Sequence, residues 1–113
     1  MSAIADLAAR QLAAYNAGDL DAFVDCYHPE VVVMAGDEVT VEGIAAFRER
    51  YTDLFTHWRF GASVPTRVHH TTHCIDLEDY WRIDPETGER TEGRVLVHYA
   101  LRDDRIGRVR FLD

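Results

Sequence analysis

Residues 14–23 read Ala14-Tyr15-Asn16-Ala17-Gly18-Asp19-Leu20-Asp21-Ala22-Phe23. Glycine is the residue that most often ends a helix, and aspartate is one of the strongest helix N-caps. Gly18 and Asp19 therefore predict the end of one helix and the start of a second, with almost no linker between them. Ser2 is placed to cap the first helix, and Pro29 ends the second.

Apolar residues recur at helical spacing before and after this junction. The first helix has an apolar face whose one polar member is Gln11. A third and longer helix is predicted after Gly43. Its apolar stripe consists of Ile44, Phe47, Tyr51, Leu54, Phe55 and Trp58.

The rest of the chain has the pattern of strands. Residues 31–34 and 39–41 are short β-branched runs, and the second half contains only strand-like segments and turns. Long strands are predicted over residues 67–83, 91–102 and 105–112. Helices that precede a run of antiparallel strands are typical of an α+β fold. We expect three helices on one face of a curved sheet, with a pocket between the two layers.

The composition fits one globular domain spanning residues 1–113. The chain is 47% hydrophobic, and a chain of this size buries enough apolar surface to fold without disulfides or a metal. Its formal charge of −8 argues against nucleic acid or a membrane surface as partner, because both attract positive proteins. All 12 basic residues are arginine, which excludes chemistry through a lysine Schiff base.

The start of the chain has neither the basic segment nor the apolar run of a signal peptide. No stretch of about 18 apolar residues predicts a membrane helix. The two cysteines, Cys26 and Cys74, lack the paired spacing of a zinc site. Two free thiols in a cytoplasmic protein are expected, and the alternative is a disulfide between them. We predict no metal and no cofactor.

The strand from Cys74 to Ile83 contains the first catalytic candidate. Side chains alternate between the two faces of a strand, and the odd-numbered positions here are the more apolar set. Asp79 is the one acid in that set, so we predict that it faces the core beside Trp81. Burial would raise the pKa of its carboxyl and suit it to acid–base catalysis. The alternative is a position at the rim, solvated or paired with an arginine.

Residues 69–73 read His-His-Thr-Thr-His and supply the second candidate. His69 and His73 would lie about 13 Å apart along an extended strand, too far for one metal ion. His70 is better suited to act as a general base. The alternative is a set of surface histidines that bond to water or to the backbone.

The last two strands predict one apolar and one mixed face. Facing the core we place Val95, Val97, Tyr99, Leu101, Val109 and Phe111. The outer face includes Leu96, His98, Ile106 and Leu112. Such a surface is less apolar than a core but more apolar than an ordinary surface. It predicts a homodimer joined through the outer face of the sheet.

Four segments of the chain occur together in a known superfamily. They are residues 14–23, Tyr27–Val31, Val41–Phe47 and Tyr99–Phe111. On these segments the chain resembles the nuclear transport factor 2-like superfamily, in its bacterial SnoaL-like and ketosteroid-isomerase-like branch. The resemblance covers nearly the whole length and implies one SnoaL-like cone domain over residues 1–113. Such a cone is a curved antiparallel sheet closed by three helices, usually dimeric, around an apolar cavity.

The functional residues of ketosteroid isomerases are replaced in this chain. In this resemblance Gln11 stands at the oxyanion-hole tyrosine of the first helix, and Ala35 stands at the general-base aspartate. The protonated aspartate of the oxyanion hole corresponds to Val97 or its neighbour. We therefore do not expect a ketosteroid isomerase with that mechanism. Gln11 can still donate a hydrogen bond to a carbonyl oxygen from the same place.

Dehydratase members of the superfamily resemble this chain in the region that carries their catalytic residues, but not in a sequence motif. They have a His–Asp dyad, for which His70 or His73 and Asp79 would stand in this chain. A branch of uncharacterised members carries Ile-Asp-His-Glu where this chain has Ile75-Asp76-Leu77-Glu78.

Epoxide hydrolase members use an Asp-Arg-Asp cluster with a tyrosine and an asparagine. Asp79, Tyr15 and Asn16 are present here, but no arginine is assigned to the inner face. The resemblance therefore leaves the reaction open, because one fold carries many activities.

Taken together, the residues and the resemblance predict a cofactor-free enzyme of proton-transfer type. It would be an isomerase, lyase, cyclase or hydrolase acting on a small, mostly apolar molecule in the cone. Asp79 would be the acid or base, with His70 as its partner. The ligand-binding residues would be Gln11, Tyr15, Phe47, Tyr51, Phe55, Trp81, Val97 and Tyr99. The alternative is a non-catalytic module of the same fold that binds a small molecule or dimerises.

Overall fold

The computed structural model describes residues 2–112. In chain order the elements are α1 (Ala3–Ala17), α2 (Leu20–Asp25), β1 (Tyr27–Ala35), β2 (Glu38–Glu42), α3 (Ile44–His57), β3 (Arg59–His70), β4 (His73–Ile83), β5 (Arg90–Arg102) and β6 (Arg105–Leu112). The helices pack on one face of a curved, unclosed sheet of six strands. This arrangement confirms the predicted α+β cone.

The junction between α1 and α2 is confirmed in detail. Gly18 ends α1 with a left-handed φ of 69°, which glycine adopts without strain. The Asp19 carboxylate accepts a hydrogen bond from the backbone N–H of Ala22 at 3.1 Å and so caps α2. At the other end of α1, the Ser2 hydroxyl oxygen accepts from the N–H of Ala5 at 3.2 Å.

The strands lie in the order β2-β1-β6-β5-β4-β3. Neighbouring strands are antiparallel except β1 and β6, which are parallel. The β4/β5 hairpin has an unbroken register, with Ile83 opposite Arg90 at one end and His73 opposite Ala100 at the other. Residues directly opposite each other in this hairpin therefore share a face of the sheet.

The single strand predicted over residues 67–83 is wrong. The chain turns at Thr71 and Thr72, so residues 67–70 end β3 and a new strand begins at His73. Thr71 has a φ of 51°, a conformation that glycine or asparagine usually supplies in a two-residue hairpin turn. Because neither residue is present, the sequence does not mark this turn, and it does not predict the first part of β3 either.

The inner faces of β5 and β6 are as predicted. Val97, Tyr99 and Val109 are buried between the sheet and the helices. The prediction for Ile106 is wrong, because this residue was expected on the outer face but is fully buried. The register of the β5/β6 pair shifts after Ala100, and this irregularity turns Ile106 inward. None of the helices within residues 2–112 is long and apolar enough to cross a membrane.

Candidate functional site

The strand β4 turns its even-numbered side chains toward the helices, opposite to the prediction. Asp76 lies directly opposite Val97, so the two share the inner face, and Asp76 is completely buried. Glu78 lies two residues after Asp76 and Arg82 lies six residues after it, and both line the hollow between sheet and helices. The polar set of β4 is therefore the interior set.

Asp79 lies on the outer face, and the prediction that it is buried with a raised pKa is wrong. Its side chain is 39% exposed and accepts two hydrogen bonds from the guanidinium of Arg94. Those hydrogen bonds, more than any other influence, hold the pKa of the Asp79 carboxyl below its usual value. The rim alternative, an acid paired with an arginine, describes this residue correctly.

Trp81 also lies outside, so its predicted place in the cavity wall is wrong. It shares the outer face with Asp79, two residues away. Its indole covers Gly61 of β3, where an added Cβ would come within 2.8 Å of the ring nitrogen. The guanidinium of Arg90 lies 4.7 Å from the ring centroid on the exposed side. An apolar residue can thus lie on the outer face because neighbouring strands cover it.

His70 is exposed at the end of β3, opposite His73. Asp79 is six residues further along β4, roughly 20 Å away in an extended strand, so the predicted His–Asp pair does not form. The histidines that do meet are His73 and His98, whose Nδ1 and Nε2 atoms are 2.9 Å apart. This contact lies on the outer face as well.

A buried ion pair fixes the inner faces of β3 and β4 against each other. Arg67 donates from Nε and Nη2 to the two carboxylate oxygens of Asp76, at 2.7 and 2.9 Å. The Asp76 side chain is completely buried, whereas 23% of the Arg67 side chain is exposed. The nearby thiol of Cys74 is inert, because burial and the Asp76 carboxylate raise its pKa to about 12.

The amide of Gln11 joins two tyrosines at the floor of the cone. Its Nε2 donates to the hydroxyl oxygen of Tyr99 at 3.1 Å, and its Oε1 accepts from the hydroxyl of Tyr27 at 3.0 Å. Nε2 also donates to the carbonyl oxygen of Ala8 at 3.1 Å. The only polar residue of the predicted apolar stripe therefore orients two buried hydroxyl groups.

Two adjoining hollows lie between the helices and the sheet. The inner hollow has a volume of about 50 Å³ and is lined by polar groups that include Gln11, Tyr15, Tyr27, Glu78 and Tyr99. The outer hollow has a volume of about 290 Å³ and forms the mouth of the cone. Three residues line both hollows: Tyr51, Arg82 and Phe111. A ligand in the mouth therefore reaches the inner polar groups past these three side chains.

Glu78 is the acid that faces the inner hollow. Burial is the main reason why the pKa of its carboxyl is raised, the Asp76 carboxylate raises it further, and Arg82 opposes both. Burial also raises the pKa of Tyr99 well above its usual value, so this hydroxyl keeps its proton. Since the Tyr99 oxygen accepts from Gln11, its own O–H can donate into the hollow. An acid–base group and a hydrogen-bond donor thus face one small space.

Apart from Trp81, which lies on the outer face, the predicted ligand residues divide into two groups. Gln11, Tyr15, Tyr51 and Tyr99 line the inner hollow. The others belong to the core behind it: Phe47, Phe55 and Val97. Phe47 packs its ring 4.9 Å from Tyr51 and 5.7 Å from Phe23, so it supports the wall from behind.

Sequence reasoning missed Glu78, Arg82 and Tyr27 as site residues. Ala35, which corresponds in the resemblance to a general base, lines the mouth without a functional group. Arg67 and Arg82 occupy the inner face, where no arginine was assigned. Residues 2–112 contain no cluster of three or more His, Cys, Asp or Glu side chains arranged to hold a metal ion.

We expect Gln11→Leu to lower the free energy of unfolding by about 1–3 kcal/mol, because it leaves buried hydroxyl groups without partners. Tyr27→Phe removes one of those hydroxyls. The double variant Gln11→Leu/Tyr27→Phe should therefore lose less stability than the sum of the two single variants. Urea denaturation of the four proteins measures this, and strictly additive losses would contradict the network.

The fold has well-matched relatives among solved structures. An uncharacterised cystatin-fold protein from Novosphingobium aromaticivorans is 24% identical, with a TM-score of 0.88 over 100% of this chain and 99% of that chain. The Δ5-3-ketosteroid isomerase from Mycobacterium sp. is 17% identical, with a TM-score of 0.89 over 100% and 94%. RV0760c from Mycobacterium tuberculosis, crystallised with estradiol-17beta-hemisuccinate, is 14% identical, with a TM-score of 0.88 over 100% and 95%.

Identities at this level establish the fold and not the activity. No curated protein sequence matches the chain significantly. The family model of the SnoaL-like domain matches residues 8–109, which is nearly the whole chain. The resemblance seen in the sequence is thereby confirmed, and the chain belongs to the SnoaL-like family.

Proposed function

We propose that this single cone domain is a cofactor-free enzyme that moves a proton on a small, mostly apolar molecule. Glu78 is the acid–base group, and the Tyr99 hydroxyl stabilises negative charge that develops on a substrate oxygen. Gln11, Tyr15 and Tyr51 complete the polar and aromatic lining. The observation that carries the proposal is that Glu78 and Tyr99 line the same small inner hollow, where burial raises the pKa of Glu78 and the Tyr99 oxygen already accepts a hydrogen bond from Gln11.

The chemistry that suits these groups is proton removal beside a carbonyl group. The Glu78 carboxylate takes a proton from the carbon next to the carbonyl, and the electron pair moves onto the carbonyl oxygen. Tyr99 donates a hydrogen bond to that oxygen as it becomes an enolate. In a β,γ-unsaturated ketone the electron pair spreads over a dienolate, and return of the proton to the γ-carbon shifts the double bond, which is isomerisation. Where the β-carbon carries a leaving group, the carbonyl re-forms as a double bond forms between the α- and β-carbons and the leaving group departs with its electron pair, which is elimination.

The hollows set the size of the substrate. At about 290 Å³, the mouth is at the lower end of the range of small-molecule sites, about 300–1,000 Å³. The inner hollow of about 50 Å³ holds only the reacting end of a molecule. Single-ring compounds therefore suit this cone.

Deuterium exchange tests the proposal without knowledge of the natural substrate. Small cyclic ketones are incubated with the protein in D₂O, and NMR follows the replacement of hydrogen beside the carbonyl. We expect exchange faster than in buffer with free acetate, and a rate that rises with pH as the Glu78 carboxyl ionises. Ketones that bind without any accelerated exchange would instead support the alternative below.

The alternative is a binding module without catalysis, and the small inner hollow is the observation in its favour. A solved structure with the same fold, 14% identical and with a TM-score of 0.88, is a computationally designed 17-OHP binder. Binding alone would leave Glu78 without a role. This argues against the alternative, because a buried carboxylate in that position lowers the stability of the protein.

We also propose a homodimer through the outer face of the sheet, in a cytoplasmic protein with free thiols. Val68, Ile75 and Leu96 are large apolar residues on the outer face of β3, β4 and β5, with exposures of 64%, 39% and 37%. Leu96→Glu should shift the protein to a monomer in sedimentation equilibrium, because a charge would be buried at the interface.

Val39→Glu is the matched control for the dimer. Val39 is also exposed, at 44%, but it lies on β2 at the opposite edge of the sheet from β3. The control should sediment like the unmodified protein. A monomeric unmodified protein at high concentration, or equal effects of the two variants, would overturn the proposed interface.

A further inference from the structure

We propose that the molecule held in this cone carries a carboxylate group, and that Arg82, assisted by Arg50, binds it at the junction of the two hollows. The inference rests on the proposed function, since it assigns the substrate class of the same site. The substrate would be a small carboxylic acid with an apolar body.

Arg82 occupies the point through which a ligand must pass. It lines both hollows and is exposed to solvent at the mouth. Its guanidinium carbon lies 5.5 Å from the ring centroid of Tyr80, which orients the charged group. Its charge also reaches the Tyr15 hydroxyl, whose pKa rises through burial and is partly lowered by Arg82. Because Arg82 lines both hollows, it is placed at the interior end of the mouth.

Arg50 contributes a second positive charge on the same rim. It lines the mouth from α3. Burial raises the pKa of Tyr51 to about 12, while Arg50 and Arg82 both act to lower it. Both arginines therefore line the mouth together with Tyr51, which also lines the inner hollow.

Neither of these guanidinium groups has a carboxylate partner within residues 2–112. The contrast with the other inner arginine is direct, because Arg67 is held in two hydrogen bonds by Asp76. The acid that lines the mouth, Asp53, accepts a hydrogen bond from the indole N–H of Trp58 at 3.2 Å and forms no ion pair with either arginine. The mouth is therefore lined by two arginines and one aspartate, and neither arginine is held in an ion pair within residues 2–112.

A carboxylate is the group that this arrangement recognises best. The planar guanidinium fork binds carboxylates through two parallel hydrogen bonds, which a neutral amide cannot reproduce. The remaining walls of the mouth include Val41, Leu54 and Phe111, which suit an apolar body. An acid group held by Arg82 would leave the rest of the molecule free to extend into the inner hollow toward Glu78.

Isothermal titration calorimetry with two acid–amide pairs tests the inference. The probes are benzoate with benzamide, and phenylacetate with phenylacetamide. We expect each acid to bind about tenfold more tightly than its amide, because hydrogen bonds between charged groups are stronger than hydrogen bonds to a neutral amide. Arg82→Gln should remove this preference. Arg59→Gln removes the same charge from an exposed arginine of β3 that lines neither hollow, and it should keep the preference.

Three results would overturn the inference: acids and amides that bind equally, a preference that survives Arg82→Gln, or the absence of binding by all four probes. Circular dichroism and thermal melting of each variant show whether it is folded. The exchange assay with neutral ketones does not depend on Arg82 binding an anion. Exchange that persists while the acid preference is absent would therefore refute the carboxylate and leave the proposed function standing.

Discussion

We expect Arg67→Met to lower the free energy of unfolding by about 3 kcal/mol, the largest loss of stability predicted for this protein. The variant leaves the Asp76 carboxylate completely buried without its partner, and breaking one side of a buried pair costs about 3–5 kcal/mol. We expect a loss at the lower end of this range because 23% of the Arg67 side chain is exposed, so that water can reach Asp76 once the guanidinium is removed. Urea denaturation measures this loss against a total stability of about 5–15 kcal/mol.

The chain contains a matched control on the outer face of the same sheet. Arg94 and Asp79 also form a two-fold hydrogen-bonded pair, but both side chains are exposed, at 62% and 39%. Arg94→Met should leave the stability nearly unchanged. Removing both inner charges, as Arg67→Met with Asp76→Leu, should recover most of the loss. Equal losses for Arg67→Met and Arg94→Met would show that burial of the pair is unimportant.

Local signals predicted the helices and the fold class. Gly18 and Asp19 form the junction of α1 and α2, and the alternation in β5 placed Val97 and Tyr99 inside. These features depend on capping and on one periodic face, both of which lie within a few residues.

The inner face of β4 could not be read from β4 alone. Its odd-numbered residues are the more apolar, yet Asp76 and Glu78 face inward, and the charge that compensates Asp76 comes from Arg67 of β3. A pattern that contradicts the fold in this way is expected at a functional site.

A signal for the correct face was nevertheless present in the next strand. Residues 84–88 read Asp-Pro-Glu-Thr-Gly, a composition typical of a turn. A hairpin closed by Ile83 and Arg90 around this turn places Asp76 opposite Val97. Since Val97 was correctly placed inside, the register of that hairpin brings Asp76 inside with it. The same two acids appear in the segment Ile75-Asp76-Leu77-Glu78 that resembles other members of the superfamily.

Glu78→Gln should reduce deuterium exchange of bound ketones by about 10²–10⁴-fold, since the amide cannot accept the proton. The same substitution should raise stability at neutral pH. Burial raises the pKa of Glu78 above its ordinary value of 4.5, so the native state favours the protonated carboxyl. The contribution of the protonated Glu78 carboxyl to the free energy of unfolding is complete at pH values below that ordinary pKa, and it is lost as the pH rises through the raised pKa. Glutamine stays neutral throughout, so the variant should melt above the unmodified protein at pH 7 and match it at about pH 3.5.

Asp79→Asn is the matched control, because it makes the same chemical change one residue away on the opposite face. Its exchange rate should equal that of the unmodified protein, since the Asp79 carboxylate faces solvent and Arg94. Full exchange in Glu78→Gln, or loss of exchange in Asp79→Asn, would refute the assignment. If Glu78 were purely structural, its replacement would lower the stability of the protein. If it is kept for catalysis, its replacement lowers the exchange activity and raises the stability. The combination of slower exchange and a higher melting temperature at pH 7 therefore separates the two roles of Glu78 within a single variant.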